Sequence, residues 1–277
     1  MTTWRLLSTG LFLLLLTAFN STQSYAEFNH LHPLWGKVLK NHVSLNKTSS
    51  TVQYNSLKKK ITNLDLYLKK LSAVKIEEFK KFNQNEQLSF LINTYNAFTV
   101  KLILNNYPIK SIRDIGGVFS NPWKQKFFTL LGAKMNLDLL EHGFIRQDKK
   151  SMRKIKPKIT SVLKNFNEPR IHFALNCASK GCPELHNKPY VPLMLRQQLE
   201  KSTRRFLSNQ SKNTFNSKKN ELHLSKIFKW YRSDFEKSAL TVNAFVAPIM
   251  ATSKSQEQKM KTAKIEYLEY DWSLNEN

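Results

Sequence analysis

Apolar side chains recur every three or four residues at Tyr54, Leu57, Ile61, Leu64, Leu68 and Leu71, a spacing that predicts an amphipathic helix. A second helical pattern starts at Asn83, which stands three residues before Glu86 as in a capping box. Leu88, Leu91, Ile92, Tyr95, Phe98, Leu102 and Ile103 form its buried face, and it ends near Asn105, before Pro108. Ser89, Asn93 and Asn96 run as a polar line along the border of that face. Asparagine costs helix propensity, and a polar group at the core's edge needs a partner. These residues therefore either brace neighbouring loops or line a site.

Residues 126–135 read as a hairpin turning at Gly132-Ala133. Asn136 then caps a short helix from Leu137 to Arg146. On it His142 and Arg146, four apart, share a face, and Glu141 points about 100° away. The apolar run Ile171 to Leu175 is of strand type and ends at Asn176, with a tight Cys177-Ala178-Ser179-Lys180-Gly181-Cys182-Pro183 loop behind it. Further on come a surface helix (192–209), a turn and short strand (213–224) and an aromatic helix from Leu224 to Phe235. Residues 239–260 read as helix broken at Pro248, and Ile265 to Tyr270 alternates as a last strand. Residues 27–50 read as a polar arm whose His30, His32 and His42 lack metal-ligand spacing. The expected fold class is α+β, one domain with helices packed on a small, mostly antiparallel sheet.

Composition supports a sizeable core, at 41% hydrophobic and 12% aromatic residues. The first 26 residues have the form of a secretory signal, with Arg5, an apolar Leu6 to Phe19, and a Ser24-Tyr25-Ala26 cleavage site before Glu27. That apolar stretch is short of the ~20 residues a membrane span needs. The expectation is an exported protein, periplasmic or secreted, without a membrane span after signal removal. The net charge of +24 admits weak contact with an anionic envelope polymer. The lysines are scattered, and no zinc finger, RNA-binding signature or basic heptad points to nucleic acid.

The two cysteines, Cys177 and Cys182, are the only ones in the chain. In one reading Cys177 is a nucleophile acting on an amide or thioester, as small molecule or peptide, with His142 as base beside Glu141. Asn93 would orient the imidazole or hydrogen-bond a developing oxyanion. Asn96, Arg146, Ser179 and His172 (the runner-up base) would meet the substrate, and Gly181 and nearby amides could form an anion nest. In the other reading an oxidising compartment joins Cys177 to Cys182. A bridge over so short a loop stabilises by about 2 kcal/mol, and the chain is then a non-catalytic binding domain with Asn93, Asn96, His142 and Arg146 along its pocket. A redox-cycling variant of the bridge is the weakest form of this reading. The spacing of His172, Cys177, Cys182 and His186 matches no zinc site, so neither metal nor cofactor is expected. Asp271 and Trp272 read as structural, with a buried Asp271–Arg146 pair as one arrangement.

Five segments carry a family resemblance: Phe90 to Ala97, Leu137 to Arg146, Ile171 to Pro183, Leu224 to Tyr231, and Tyr270 to Asn275. In this order they resemble the Domain of Unknown Function 547 family over about residues 84–275, behind a signal peptide (1–26) and an arm with an amphipathic helix (27–83). The resemblance implies a domain and not a reaction. The asparagine, histidine and cysteine parts list is also similar to that of papain-like thiol enzymes, in a different chain order, which would make this a rearranged papain-like core.

Overall fold

The computed structural model describes residues 27–117 and 120–277; the signal-type segment lies outside them. Helices α1 (Pro33–His42), α2 (Tyr54–Lys59), α3 (Thr62–Ala73) and α4 (Ile76–Phe79) surround a long central helix, α5 (Gln84–Asn106). The segment read as a polar arm contains α1. Pro33 starts that helix, and Trp35, Val38 and Leu39 bury one face of it in the core. The single helix expected over 54–71 is two, because α2 closes at Lys60, whose N–H reaches back to the Leu57 carbonyl.

The capping box that opens α5 is present: Asn83 Oδ1 accepts the Glu86 N–H at 3.0 Å, and Glu86 returns a bond to the Asn83 N–H at 2.7 Å. The helix is buried on nearly every side rather than along one face, so Gln87, Asn93, Thr94, Asn96 and Thr99 are buried with the apolar residues. A helix surrounded by protein holds polar side chains only where they find partners, and here those partners are loop backbones.

Three small sheets accompany the helices, and the fold is α+β. Strand β1 (Val43–Leu45) pairs antiparallel with β2 (Ser50–Val52), and β3 (Phe128–Leu130) with β4 (Ala133–Met135), which is the predicted hairpin. In the third, β5 (Thr214–Asn216) is antiparallel to β6 (Glu221–Leu224), and β7 (Lys264–Tyr267) runs parallel to β6. Helices α6 (Leu137–Leu139), α7 (Lys149–Met152), α8 (Pro157–Thr160) and α9 (Leu195–Leu207) lie between the second and third sheets in sequence. Helices α10 (Ile227–Trp230), α11 (Arg232–Ala239), α12 (Val242–Met250) and α13 (Lys254–Thr262) precede β7. Pro248 sits inside α12, and the break falls later, where Ser253 caps α13. No helix among the described residues is long and apolar enough to cross a membrane.

Two apolar clusters form. The larger gathers around α5, and the smaller contains Phe173, Phe206, Phe228, Phe235 and Val246. Between them runs the segment read as a strand, Ile171 to Leu175. It is instead a 3₁₀ turn, Pro169–Phe173. Glu168 accepts the Arg170 N–H at 3.1 Å and Pro169 supplies a helical φ, which starts a turn. Ile171, Ala174 and Leu175 face the larger cluster and Phe173 the smaller, so the apolar run serves two cores.

Candidate functional site

A cleft of about 290 Å³ opens along this junction. Its aromatic wall is Trp123, Trp230, Tyr270 and Trp272; its polar end is Asp138, Glu141 and His142, with Tyr95, Tyr231 and His172 behind; Cys177, Cys182 and Pro183 line it too.

The polar end is set by a local anomaly. After Asn136 caps α6 (Leu139 N–H at 2.7 Å), the helix widens into a π turn, Leu140–Ile145, in which the Arg146 N–H bonds the Glu141 carbonyl at 2.8 Å. Such widened turns recur at functional sites. Here Arg146 Nη1 lies 2.7 Å from His142 Nδ1. A guanidinium can only donate, so Nδ1 is the acceptor and the ring proton sits on Nε2, 3.8 Å from Asp138 Oδ1. His142 in this arrangement presents a hydrogen-bond donor to the cleft.

Behind it lies a largely buried charge cluster. Asp234 Oδ2 accepts Arg146 Nε–H at 2.7 Å and His172 Nε2–H at 2.9 Å. Burial alone would raise the Asp234 carboxyl, but the hydrogen bonds from His172 and Arg146 outweigh it and hold it well below the usual carboxylate range. Burial lowers His172, opposed by its bond to Asp234. The His172 ring stacks on Tyr231 at 3.9 Å, and the Tyr231 hydroxyl donates to Glu141 Oε1 at 2.5 Å. Burial, then the Glu141 carboxylate, push Tyr95 and Tyr231 well above the ordinary phenol range, so both stay protonated.

The sulfur wall is a disulfide, Cys177–Cys182, with Cα atoms 6.0 Å apart. The final segment of the chain anchors its loop. Lys180 and Gly181 donate to the Ser273 and Asp271 carbonyls, each at 2.8 Å, and Ala178 accepts from Asn275 at 3.1 Å. These amides are spent on structure, which leaves no anion nest at Gly181. Ala178 itself sits at φ 61°, held by Asn176 Oδ1 at 3.0 Å. A second cavity of about 380 Å³, lined by Ser179, Lys212 and Asp271 among others, lies against the same loop, and Cys182, Pro183 and Tyr270 border both.

Of the sequence candidates, Glu141, His142, His172 and Cys177 meet in the cleft, and Arg146 supports it from behind. Asn93 and Asn96 do not line it. Asn93 grips Tyr190, donating to its carbonyl at 2.7 Å and accepting its N–H at 3.1 Å; Asn96 ties the Ala174 carbonyl and the Asn176 N–H, both at 2.9 Å. They brace the strands of loop that carry the cysteines. Ser179 lines the second cavity, and Asp271 is exposed and bonded to Ser273, so the partner of Arg146 is Asp234. Sequence reasoning missed Asp138, Asp234 and the tryptophans as site residues. Asp138 carried a signal, four residues before His142, whereas nothing local marks Asp234. Among the described residues no cluster of three or more His, Cys, Asp and Glu is placed to hold a metal ion.

Fold and site together define an α+β domain with a disulfide-walled aromatic cleft at the seam of two cores. Residues 79–207 match the model of a family described as Protein of unknown function, DUF547, and the chain carries a domain of that family there. The matched stretch takes in the Phe90 to Ala97, Leu137 to Arg146 and Ile171 to Pro183 segments; those at 224–231 and 270–275 lie beyond it. No curated protein and no solved structure matches the chain.

Proposed function

We propose that this is an exported, non-catalytic binding domain of the cell envelope whose cleft takes a sugar ring of an envelope glycan. The observation that carries the reading is the make-up of the cleft: an aromatic wall facing a hydrogen-bonding end, with both of the chain's cysteines bridged. Ring centroids lie 4.8 Å apart for Trp230 and Tyr270, 4.6 Å for Tyr270 and Trp272, and 5.8 Å for Trp123 and Trp272. Trp230 is 44% exposed. Flat amphipathic rings of this kind suit the apolar face of a pyranose. Asp138 and Glu141 would accept from sugar hydroxyls, and His142 Nε2–H would donate to one.

The thiol-hydrolase reading retains one support, that Cys177, Glu141 and His142 share the cleft. It requires the bridge opened to give a thiolate, and it requires His142 to leave Arg146 before either ring nitrogen can take a proton from sulfur.

The test is a tryptophan-fluorescence titration of the oxidised mature protein with an N-acetylglucosamine tetramer and a glucose tetramer. A saturable shift with one of them, weakened about thirtyfold by Trp230→Ala (a buried-aromatic contact of roughly 2 kcal/mol), supports sugar binding. No saturable shift with either tetramer refutes it. A fast iodoacetamide adduct on Cys177 at pH 6, without reductant, would favour the thiol enzyme instead.

A further inference from the structure

The environments of the two bridged sulfurs differ in a way that a purely structural clamp does not need. Cys177 is half-buried on the cleft wall, whereas Cys182 is 3% exposed. Cys182 Sγ accepts the Cys177 N–H at 2.9 Å and has Ser179 Oγ at 3.2 Å and the Tyr270 hydroxyl at 3.3 Å. A sulfur in a disulfide is a weak acceptor. Three donors gathered on one such atom are matched to the charge it would carry as a thiolate. The two hydroxyls are shared, lying also 3.4 and 3.3 Å from Cys177 Sγ, and both protons can turn onto Cys182 once the bridge opens, whereas the Cys177 N–H bonds Cys182 alone. Burial pushes the Tyr270 phenol up, so it keeps its proton to donate.

We propose that the Cys177–Cys182 bridge is an exchangeable disulfide, reduced through the cleft by a dithiol that attacks Cys177, with Cys182 as the stabilised leaving thiolate. The attacking thiolate forms a bond to Cys177 Sγ as the Cys177–Cys182 bond breaks, and the electron pair stays on Cys182 Sγ. The dithiol's second thiolate then attacks its own sulfur in the mixed disulfide, expels Cys177 as a thiolate, and departs as a disulfide. The dithiol loses two electrons and two protons, and the bridge gains them as two thiols. Exchange favours attack at the accessible sulfur and loss of the better-stabilised one, and the geometry assigns these roles to Cys177 and Cys182 respectively. The loop holds its shape through the change, because Lys180 and Gly181 are tied to the last segment by backbone bonds that do not involve sulfur. The two thiols stay together and can re-form the bridge. This redox activity is independent of what the cleft binds when oxidised.

The experiment uses the oxidised mature chain at pH 7 without denaturant. Glutathione is added, the mixture is quenched in acid, and the mixed disulfide is mapped by mass spectrometry. Glutathione is expected on Cys177, with Cys182 free to be alkylated, in at least about tenfold excess over the reverse. In stopped-flow reduction by dithiothreitol, Tyr270→Phe and Ser179→Ala should each slow the reaction about three- to tenfold, the worth of one hydrogen bond to a charged sulfur. Unchanged circular dichroism establishes that both variants are folded, and Ser179→Ala carries the test alone if Tyr270→Phe is not. Glutathione on Cys182, reduction only under denaturing conditions, or unchanged rates in the folded variants would each overturn the proposal. The sugar titrations are read on oxidised protein, so their failure leaves this result intact, and the reverse holds as well.

Discussion

Replacing Asp234 with alanine should be among the most destabilising polar changes in the protein. Among the described residues the Asp234 carboxylate is the only acceptor for Arg146 Nε–H and for His172 Nε2–H, at 2.7 and 2.9 Å. The side chains of Arg146, Asp234 and His172 are 12%, 16% and 1% exposed, so water can replace little of what is lost. Removing one member of a buried ion pair leaves the other charge uncompensated, which costs about 3–5 kcal/mol. In a chain of this size that lowers Tm by roughly 6–20 °C, at about 2–4 °C per kcal/mol. Urea unfolding followed by circular dichroism gives the free energy if the transition is cooperative. The companion variant is Asp234→Ala with Arg146→Met. Removing both charges should restore about 1–3 kcal/mol relative to the sum of the single changes, as coupled neighbours do. A single-variant cost under about 1 kcal/mol, or strict additivity in the double variant, would mean that the cluster behaves like a surface ion pair and would refute the reasoning.

Three further outcomes follow from the same physics. Burial pushes His32 down to about 3, with the His30 charge adding to it, so the folded protein leaves it neutral while the unfolded chain protonates it below about 6.5. Stability should therefore fall as pH drops from 6.5 towards 3, by roughly 2 kcal/mol at pH 5 from this group, and His32→Phe should flatten that slope in urea titrations at pH 7 and 5. An unaltered slope would show that His32 is not the group responsible. At Gly181 an added Cβ would lie 2.8 Å from Tyr270 Cε1 and 2.9 Å from the Asp271 carbonyl, so Gly181→Ala should cost about 1–3 kcal/mol by thermal melt and displace Tyr270 from the sulfurs. Nitrogen NMR of His142 at pH 8 should report a protonated Nε2 and a bare Nδ1, and Arg146→Met, which carries no N–H donor, should erase that preference; an Nδ1–H tautomer in the native protein would refute the donor role.

Much of the fold was legible because its signals are local. The Asn83 to Glu86 capping box, the Asn136 cap and the hairpin, whose turn falls at Leu131-Gly132, one residue before the expected Gly132-Ala133, each depend on residues within a few positions of one another. The misreadings arose where a distant partner decided. Ile171 to Leu175 has the composition of a strand, yet two cores claim its alternate sides. For Asn93 and Asn96 the sequence left two alternatives, and their bonds to Tyr190, Ala174 and Asn176, 78 to 97 residues away along the chain, match the bracing one and not the site-lining one. Apolar periodicity says which face of a helix is buried and is silent on what buries it.

By itself the sequence determined the family match over 79–207, the α+β class, the helix caps and the confinement of thiol chemistry to one loop, since each follows from residue type and short spacing. Only the tertiary structure decided that Cys177 is bridged to Cys182, that Arg146 holds His142 by Nδ1, that Asp234 is the buried counter-charge, and that four aromatic rings from three separate segments make one wall. The first two join residues only four or five positions apart, but their geometry, like the Arg146–Asp234 pair 88 residues apart and the wall drawn from Trp123, Trp230, Tyr270 and Trp272, is set by distant segments meeting at the seam of two cores. The free energy that brings them together comes from burying apolar surface, which is non-directional and leaves no mark at the polar residues it happens to unite.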